Sequence, residues 1–312
     1  MNNDINIIIK KIFKWYFIMF FYADNMMKFA FSEEFNDEEY EKGYSIMGVG
    51  FDSTTSYKSG ARYGPKSVRE ASYNFEQYNL RFDTSVTTVS YDIGDVQVIP
   101  GNYQETGNMI YDTVNELLDK NLTPITIGGE HTVTYGILKS LHDYDPEAFS
   151  NMVVVHLDAH FDMRDEYLGE KYSHASVLRR VHELNPKEII QIGIRSAEYE
   201  EYEYVKAHDN ITYFSSHQLR QDPNGLFDKL KAINSPVYIT VDIDVLDPAY
   251  APSVGTPAPC GLTPMMLEDI IYALSNKDVR GLDVVEVASN EIGDVTSVNA
   301  AKVIYDFLSL QK

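Results

Sequence analysis

A chain of 312 residues, 44% of them hydrophobic, can bury a substantial core as one large α/β domain or two small ones. Its formal net charge of −21 and pI near 4.7 exclude nucleic acid and anionic membrane surfaces as natural partners and favour divalent metals or a cationic metabolite. The lone cysteine, Cys260, rules out an intrachain disulfide and a cysteine-only metal cluster, and suits a reducing cytoplasm.

In chain order, the first feature is an apolar, aromatic stretch, Ile5–Ala23, interrupted by Lys10, Lys11 and Lys14. Its uninterrupted part, Trp15–Ala23, is too short to cross a bilayer as a helix. Asp24 and Asn25 follow where a signal peptide would carry small residues. Met26 and Met27 then precede more ordinary sequence. Residues 1–26 are therefore read as an extension outside the core, with the native start near Met26, and 27–312 as a single domain. Strands are expected at Ser45–Gly50, Val86–Tyr91, Thr123–Gly128, Met152–Asp158, Glu188–Ile194, Ile211–Phe214, Val237–Ile243 and Gly281–Val287. Helical patterns fall at Pro65–Asn79, Tyr103–Lys120, Thr132–Leu141, Ser173–Leu184, Ala197–Ala207, Gly225–Ile233, Pro264–Ser275 and Val295–Leu310. Such alternation predicts crossover connections and a parallel sheet covered on both faces. Ligands of such sheets bind beyond the carboxyl ends of the strands.

The unusual residues lie at those ends. His156-Leu157-Asp158-Ala159-His160-Phe161-Asp162 follows an apolar run, and residues two apart on an extended chain point to one side. Carboxylates and an imidazole gathered this way repel and desolvate one another unless a cation compensates. Asp242-Ile243-Asp244 repeats the logic after Tyr238–Val241, although a lone pair of this kind is often merely solvated. Gly128-Gly129-Glu130-His131 follows Thr123–Ile127. A glycine pair there can cradle a phosphate, but the lysine and hydroxyl of a P-loop are missing, and His131 taken alone reads by default as a helix-capping or core residue. Together, His131, Asp158, His160, Asp162, Asp242 and Asp244 suit two divalent ions, manganese first, with magnesium, iron or zinc as alternatives. Two ions roughly 3.5–4 Å apart would share a water and lower its pKa toward neutrality.

These motifs, with Gly48–Gly64, Asp92–Asp95, Asp247-Pro248, Gly255-Thr256-Pro257, Gly261-Leu262-Thr263 and Asp283-Val284-Val285-Glu286, resemble the ureohydrolase superfamily of arginases and agmatinases, agmatinases most closely. The resemblance runs from about Tyr44 to the end. It implies a three-layer α/β/α fold with an eight-stranded, mainly parallel sheet and a dinuclear manganese site. Asp158 and Asp242 would bridge the ions, His131 and Asp162 would complete one, His160 and Asp244 the other. Asp162 would also accept a hydrogen bond from the shared water. Glu286 would grip the guanidinium, Thr256 would lie near that carboxylate, and His174 would pass a proton to the leaving amine. A trimer or hexamer is implied too. His156 is read as a packing or supporting residue, and Cys260 as a passive loop residue.

Three departures border the implied substrate pocket: Ala175-Ser176 after the loop histidine, Val287-Ala288-Ser289 after Glu286, and Pro252-Ser253-Val254 before Gly255. The loop Asp165–Ser173 lacks the asparagine with which arginases hold a carboxylate, and carries three acids against one lysine. That favours agmatine, cleaved to putrescine and urea. Arginine, guanidinobutyrate or formiminoglutamate are alternatives. For the carboxylated ones Arg179 and Arg180 are the candidate rim cations. A metal- or polyamine-binding protein without turnover is the non-enzymatic alternative.

Overall fold

The computed structural model describes residues 23–24 and 27–311. Its strands are β1 (Ala23–Asp24), β2 (Gly43–Val49), β3 (Tyr78–Asn79), β4 (Thr84–Ser85), β5 (Ser90–Val96), β6 (Leu122–Gly128), β7 (Val153–Leu157), β8 (Glu188–Ile194), β9 (Ile211–Ser215), β10 (Val237–Asp242) and β11 (Val279–Val285). The helices are α1 (Gly64–Ser72), α2 (Tyr103–Asp119), α3 (Val133–Tyr144), α4 (Pro146–Ser150), α5 (Val177–Glu183), α6 (Tyr199–Lys206), α7 (Ser216–Gln221), α8 (Asn224–Ala232), α9 (Pro264–Ser275) and α10 (Val295–Leu310). Eight strands run parallel in the order β5-β2-β6-β11-β10-β7-β8-β9, and β1 adds a two-residue antiparallel edge beside β5. The rest of the expected extension over 1–26 lies outside the described residues.

Alternation along the central strands feeds two cores. On β7, Val153, Val155 and Leu157 join the core that includes Val68 of α1, Ile270 of α9 and Ile304 of α10. Val154, one residue out of phase, joins Ile110 of α2, Ile137 of α3 and Val181 of α5 on the opposite face. Every residue of β7 and β10 is buried, as a parallel strand between two helical layers must be. This is the three-layer α/β/α sandwich that the motifs imply. Among the described residues, no helix is long and apolar enough to cross a membrane.

Some boundaries move, each for a local reason. The strand expected at Val86–Tyr91 lies at Ser90–Val96, carrying Asp92 into the sheet. Arg69 makes this possible: its Nε and Nη2 meet the two oxygens of Asp92 at 2.7 and 2.9 Å, with both side chains buried. The helix expected over Pro65–Asn79 stops at Ser72, because β3 pairs with β4 in a small antiparallel hairpin. The helix expected from Thr132 to Leu141 begins at Val133 and continues to Tyr144, where Asp145 caps the short α4 through Ala148 N at 3.0 Å. The segment Ser173–Leu184 divides into a 3₁₀ turn at His174–Ser176 and α5. The last strand spans Val279–Val285 and stops before Glu286. Helix α7, whose Ser215 cap and Gln218 bond reciprocally, is not anticipated from the sequence.

Candidate functional site

Five neighbouring strands, β6-β11-β10-β7-β8, end in the segments that carry the chemistry. His131 follows β6, Glu286 follows β11, Asp242 ends β10 with Asp244 just beyond, Asp158 to Asp162 follow β7, and Glu198 follows β8. The six expected ligand residues converge there. His131 Nδ1 faces Asp158 Oδ2 and Asp162 Oδ2, each at 3.2 Å, and Asp242 Oδ2 at 3.6 Å. His160 Nδ1 faces Asp244 Oδ2 at 3.1 Å and Asp158 Oδ1 at 3.4 Å. Asp158 thus turns one oxygen to each imidazole, the disposition a bridging carboxylate needs. Backbone N–H groups steady the carboxylates: His160 N donates to Asp158 at 2.6 Å, Asp244 N to Asp242 at 2.8 Å and Ala159 N to Asp244 at 3.1 Å.

Electrostatics show what the cluster lacks. Burial, then the charge of Asp158, holds Asp162 up to about 7. Burial with Asp244 and Asp158 pushes Asp242 well above the carboxylate range. Burial pulls His131 down, but Asp158, Asp162 and Asp242 outweigh it and hold the ring far above its ordinary value. Protons are being held where positive charge is wanted. His131 Nδ1 is buried and makes no hydrogen bond of good geometry. Its other nitrogen, Nε2, lies 2.9 Å from Thr240 Oγ1, which donates at 2.6 Å to Asp283. Thr240 therefore accepts from Nε2–H, so the proton that the carboxylates hold on the ring sits on Nδ1, the nitrogen whose lone pair a cation would take in its place. An oxygen-rich donor set with two imidazoles and an orphaned ring nitrogen fits divalent cations.

His174 and Glu286 border the same cavity of about 210 Å³, with Asp162, Asp242 and Thr256. Glu286 is buried, and burial with the nearby Glu130 charge pushes its carboxyl well above the usual range. Thr256 lines this cavity together with Glu286, and its hydroxyl donates to Asp244 Oδ2 at 3.3 Å. Gly255 is the close neighbour of Glu286, since a Cβ there would come within 3.0 Å of Oε2. His174 sits between Thr54 Oγ1 (3.1 Å from Nδ1) and Ser56 Oγ (3.2 Å from Nε2). Thr54 already donates to Glu130 at 2.7 Å, so it accepts the Nδ1 proton, and the Nε2 lone pair is left toward Ser56. Burial, then His160 and His131, lowers His174 to about 4, so it is a neutral base at physiological pH.

The pocket's distal charge comes from residues that sequence reasoning missed. The acids of the 165–173 loop do not line the cavity; Tyr167 does. Glu198 and Glu201, after β8, supply its distal negative charge, and Arg164 supplies a cation, 3.5 and 3.8 Å from their carboxylates. Arg179 and Arg180 are not at the rim. Arg180 is buried and bonds Asp165 and Glu183, both at 2.9 Å, and Arg179 stacks on Tyr204. The sole signal for Glu198 was its position after a strand end. Cys260 is exposed, and its backbone N donates to Asp247 Oδ2 at 2.8 Å.

Comparison with known proteins agrees with this geometry. Residues 42–309 match the model of the arginase family. An uncharacterised 32.2 kDa protein of Methanothermus fervidus is 44% identical over 285 residues, covering 90% of this chain and 98% of the relative. The N(1)-aminopropylagmatine ureohydrolase of Thermococcus kodakarensis is 38% identical over 277 residues, covering 87% and 92%. The structure of an agmatine ureohydrolase from Thermoplasma volcanium superposes with a TM-score of 0.82 at 32% identity, covering 92% of this chain and 95% of that one. With a match that spans most of its length and a buried His/Asp cluster typical of a dinuclear metal site, the chain belongs to the arginase family of ureohydrolases, C–N hydrolases that act on linear amidines.

Proposed function

We propose that the protein hydrolyses agmatine to putrescine and urea, with two manganese ions held by His131, Asp158, His160, Asp162, Asp242 and Asp244. The observation that carries this reading is the charge of the cavity: Glu286 beside the ligand cluster, with Glu198 at the N-cap and Glu201 in the first turn of α6. A substrate with a guanidinium and a second cationic group meets both. The relatives named for agmatine and aminopropylagmatine lend support from an independent direction.

Cations held by these six residues would lower the pKa of a water toward neutrality and so supply a nucleophile. The chain's own groups do the rest. Glu286 holds the guanidinium as a planar, charge-assisted pair. Asp162 accepts a hydrogen bond from the attacking water. Oxygen adds to the guanidinium carbon and the C–N bond to the alkyl amine breaks; the neutral Nε2 of His174 takes up a proton released by the water as it adds and returns it to the departing nitrogen. Thr256 steadies Asp244. A cytoplasmic location and a trimeric or hexameric assembly belong to the same proposal.

Arg164 favours a second reading, a guanidino acid such as guanidinobutyrate, whose carboxylate an unpaired guanidinium would attract. Its pairing with Glu198 and Glu201 argues for the diamine-type substrate instead. The test is urea release by manganese-loaded protein from agmatine, aminopropylagmatine, arginine and guanidinobutyrate. Agmatine should be preferred; urea from arginine with none from agmatine would overturn the proposal.

A further inference from the structure

A row of buried polar side chains crosses the sheet one level beneath the ligand cluster. Asp283 on β11, Thr240 on β10, His156 on β7 and Gln191 on β8 are register partners in turn, and all four are fully buried. Thr240 serves His131, as described above. The other half of the row has no role yet. His156 Nε2 lies 2.8 Å from Asp158 Oδ2, and its Nδ1 lies 3.0 Å from Gln191 Nε2. Gln191 Nε2 also donates to the Phe161 carbonyl at 2.8 Å.

That last contact sets the orientation of the amide. Were it reversed, Oε1 would face the Phe161 carbonyl oxygen, two acceptors in contact. With Nε2 in place, one amide hydrogen goes to Phe161 and the other to His156 Nδ1, which must then be an acceptor. The imidazole proton is left on Nε2, directed at Asp158. Gln191 Oε1 has no hydrogen-bond partner among the described residues, a cost tolerated in a buried position for what the nitrogen does.

We propose that Gln191 and His156 form a positioning relay: Gln191 locks His156 as the Nε2–H tautomer, and that N–H holds Asp158 in the orientation that presents its two oxygens to His131 and His160. His156 belongs geometrically to the candidate ligand group with His131, Asp158 and Asp162. The relay makes it a hydrogen-bond donor to a ligand and removes it from the ligand set. The inference rests on the metal-site reading of Asp158, and it is independent of which guanidine is the substrate.

Two measurements test it. Nitrogen-15 NMR of metal-free, histidine-labelled protein, with His156→Gln for assignment, should find the proton on Nε2. Gln191→Glu, which keeps the shape and replaces the donor by an acceptor, should place a proton on Nδ1. Calorimetry with Mn²⁺ should show His156→Leu and Gln191→Met binding two ions about 10- to 100-fold more weakly than the parent. A parent ring protonated only at Nδ1 would overturn the relay, as would His156→Leu with parental affinity. Loss of one of the two ions in His156→Leu would make His156 a ligand, and would also overturn it. If His156→Leu does not fold, the tautomer and the Gln191 variants decide. A parent protein that binds no manganese sinks the metal reading itself, a separate result from the tautomer, which is read without metal.

Discussion

The carboxylate of Glu286 accepts the backbone N–H of His131 at 2.8 Å, tying the group proposed to grip the guanidinium to a residue proposed to hold an ion. Glu286 sits at φ 67°, just past β11, and Asp162 at φ 54°. Left-handed backbone at a non-glycine residue costs on the order of 1–3 kcal/mol and persists where surrounding contacts enforce it. Here Glu286 N is bonded to Gly129 O at 2.8 Å, which fixes the turn. Glu286→Gln keeps an acceptor for His131 N–H but loses the charge. Urea release should fall at least ~100-fold, the scale of losing one strong group aimed at developing charge. Manganese content should stay the same, and the Tm should not drop, because a buried carboxyl that resists ionisation has been removed. Atomic absorption, a urea assay and thermal unfolding read all three.

His174 is aimed by Thr54, and Thr54 by Glu130. Glu130 accepts Ser53 N, Thr54 N, Thr54 Oγ1 and Thr132 Oγ1, each at 2.7 Å. His174→Ala should keep both ions and lower kcat by about 10²-fold or more, the range for a lost general acid or base. Thr54→Val frees the ring without removing it, so a smaller loss, about 10-fold, should appear in kcat with KM nearly unchanged. A Thr54→Val enzyme with parental kcat would show that His174 needs no such alignment.

The candidate ligand cluster was legible in the sequence because most of its residues are local. Asp158, His160 and Asp162 follow one apolar strand, Asp242 and Asp244 another, and a two-residue period puts such pairs on one side. What aims them was not legible. Thr240 and Gln191 look like ordinary strand residues, and Asp283 and His156, though they fall in motifs, show no partners until register sets the four side by side; register is a long-range property. The same holds for Asp92, whose place inside β5 depends on Arg69, 23 residues away. Arg179 and Arg180 looked like rim cations because they follow His174 in sequence. Helix α5 turns Arg180 inward to Asp165, and Arg164 takes the place in the cavity.

Substrate choice should turn on Glu198. It is more exposed than Arg164, so its hold on a substrate ammonium is screened and modest. Glu198→Gln should raise KM for agmatine about 3- to 10-fold with kcat little changed. The same substitution releases Arg164 from one of its two acids, so guanidinobutyrate should become a better substrate relative to agmatine. Steady-state kinetics on the two compounds decides. Equal effects on both, or none, would move recognition of the substrate's tail away from Glu198.

Metal removal should matter more as pH rises. Asp162 is held up to about 7, by burial and by Asp158, against an ordinary 3.8. Between those values the folded chain keeps a proton that the unfolded chain has lost, so the stability of the metal-free protein falls as pH climbs through that window. Burial pulls His160 down, but Asp244 and Asp158 outweigh it and push it up to about 12, against an ordinary 6.5, which extends the decline into the alkaline range. Divalent ions require these groups deprotonated, so binding competes with the same protons. In EDTA the Tm should therefore decrease from pH 6 to pH 8.5, while the manganese-loaded protein should hold level or gain. The difference between the two, read by thermal unfolding at matched ionic strength, should widen by several degrees. A gap that stays constant across that range would mean the cluster's protons are not what the cations displace.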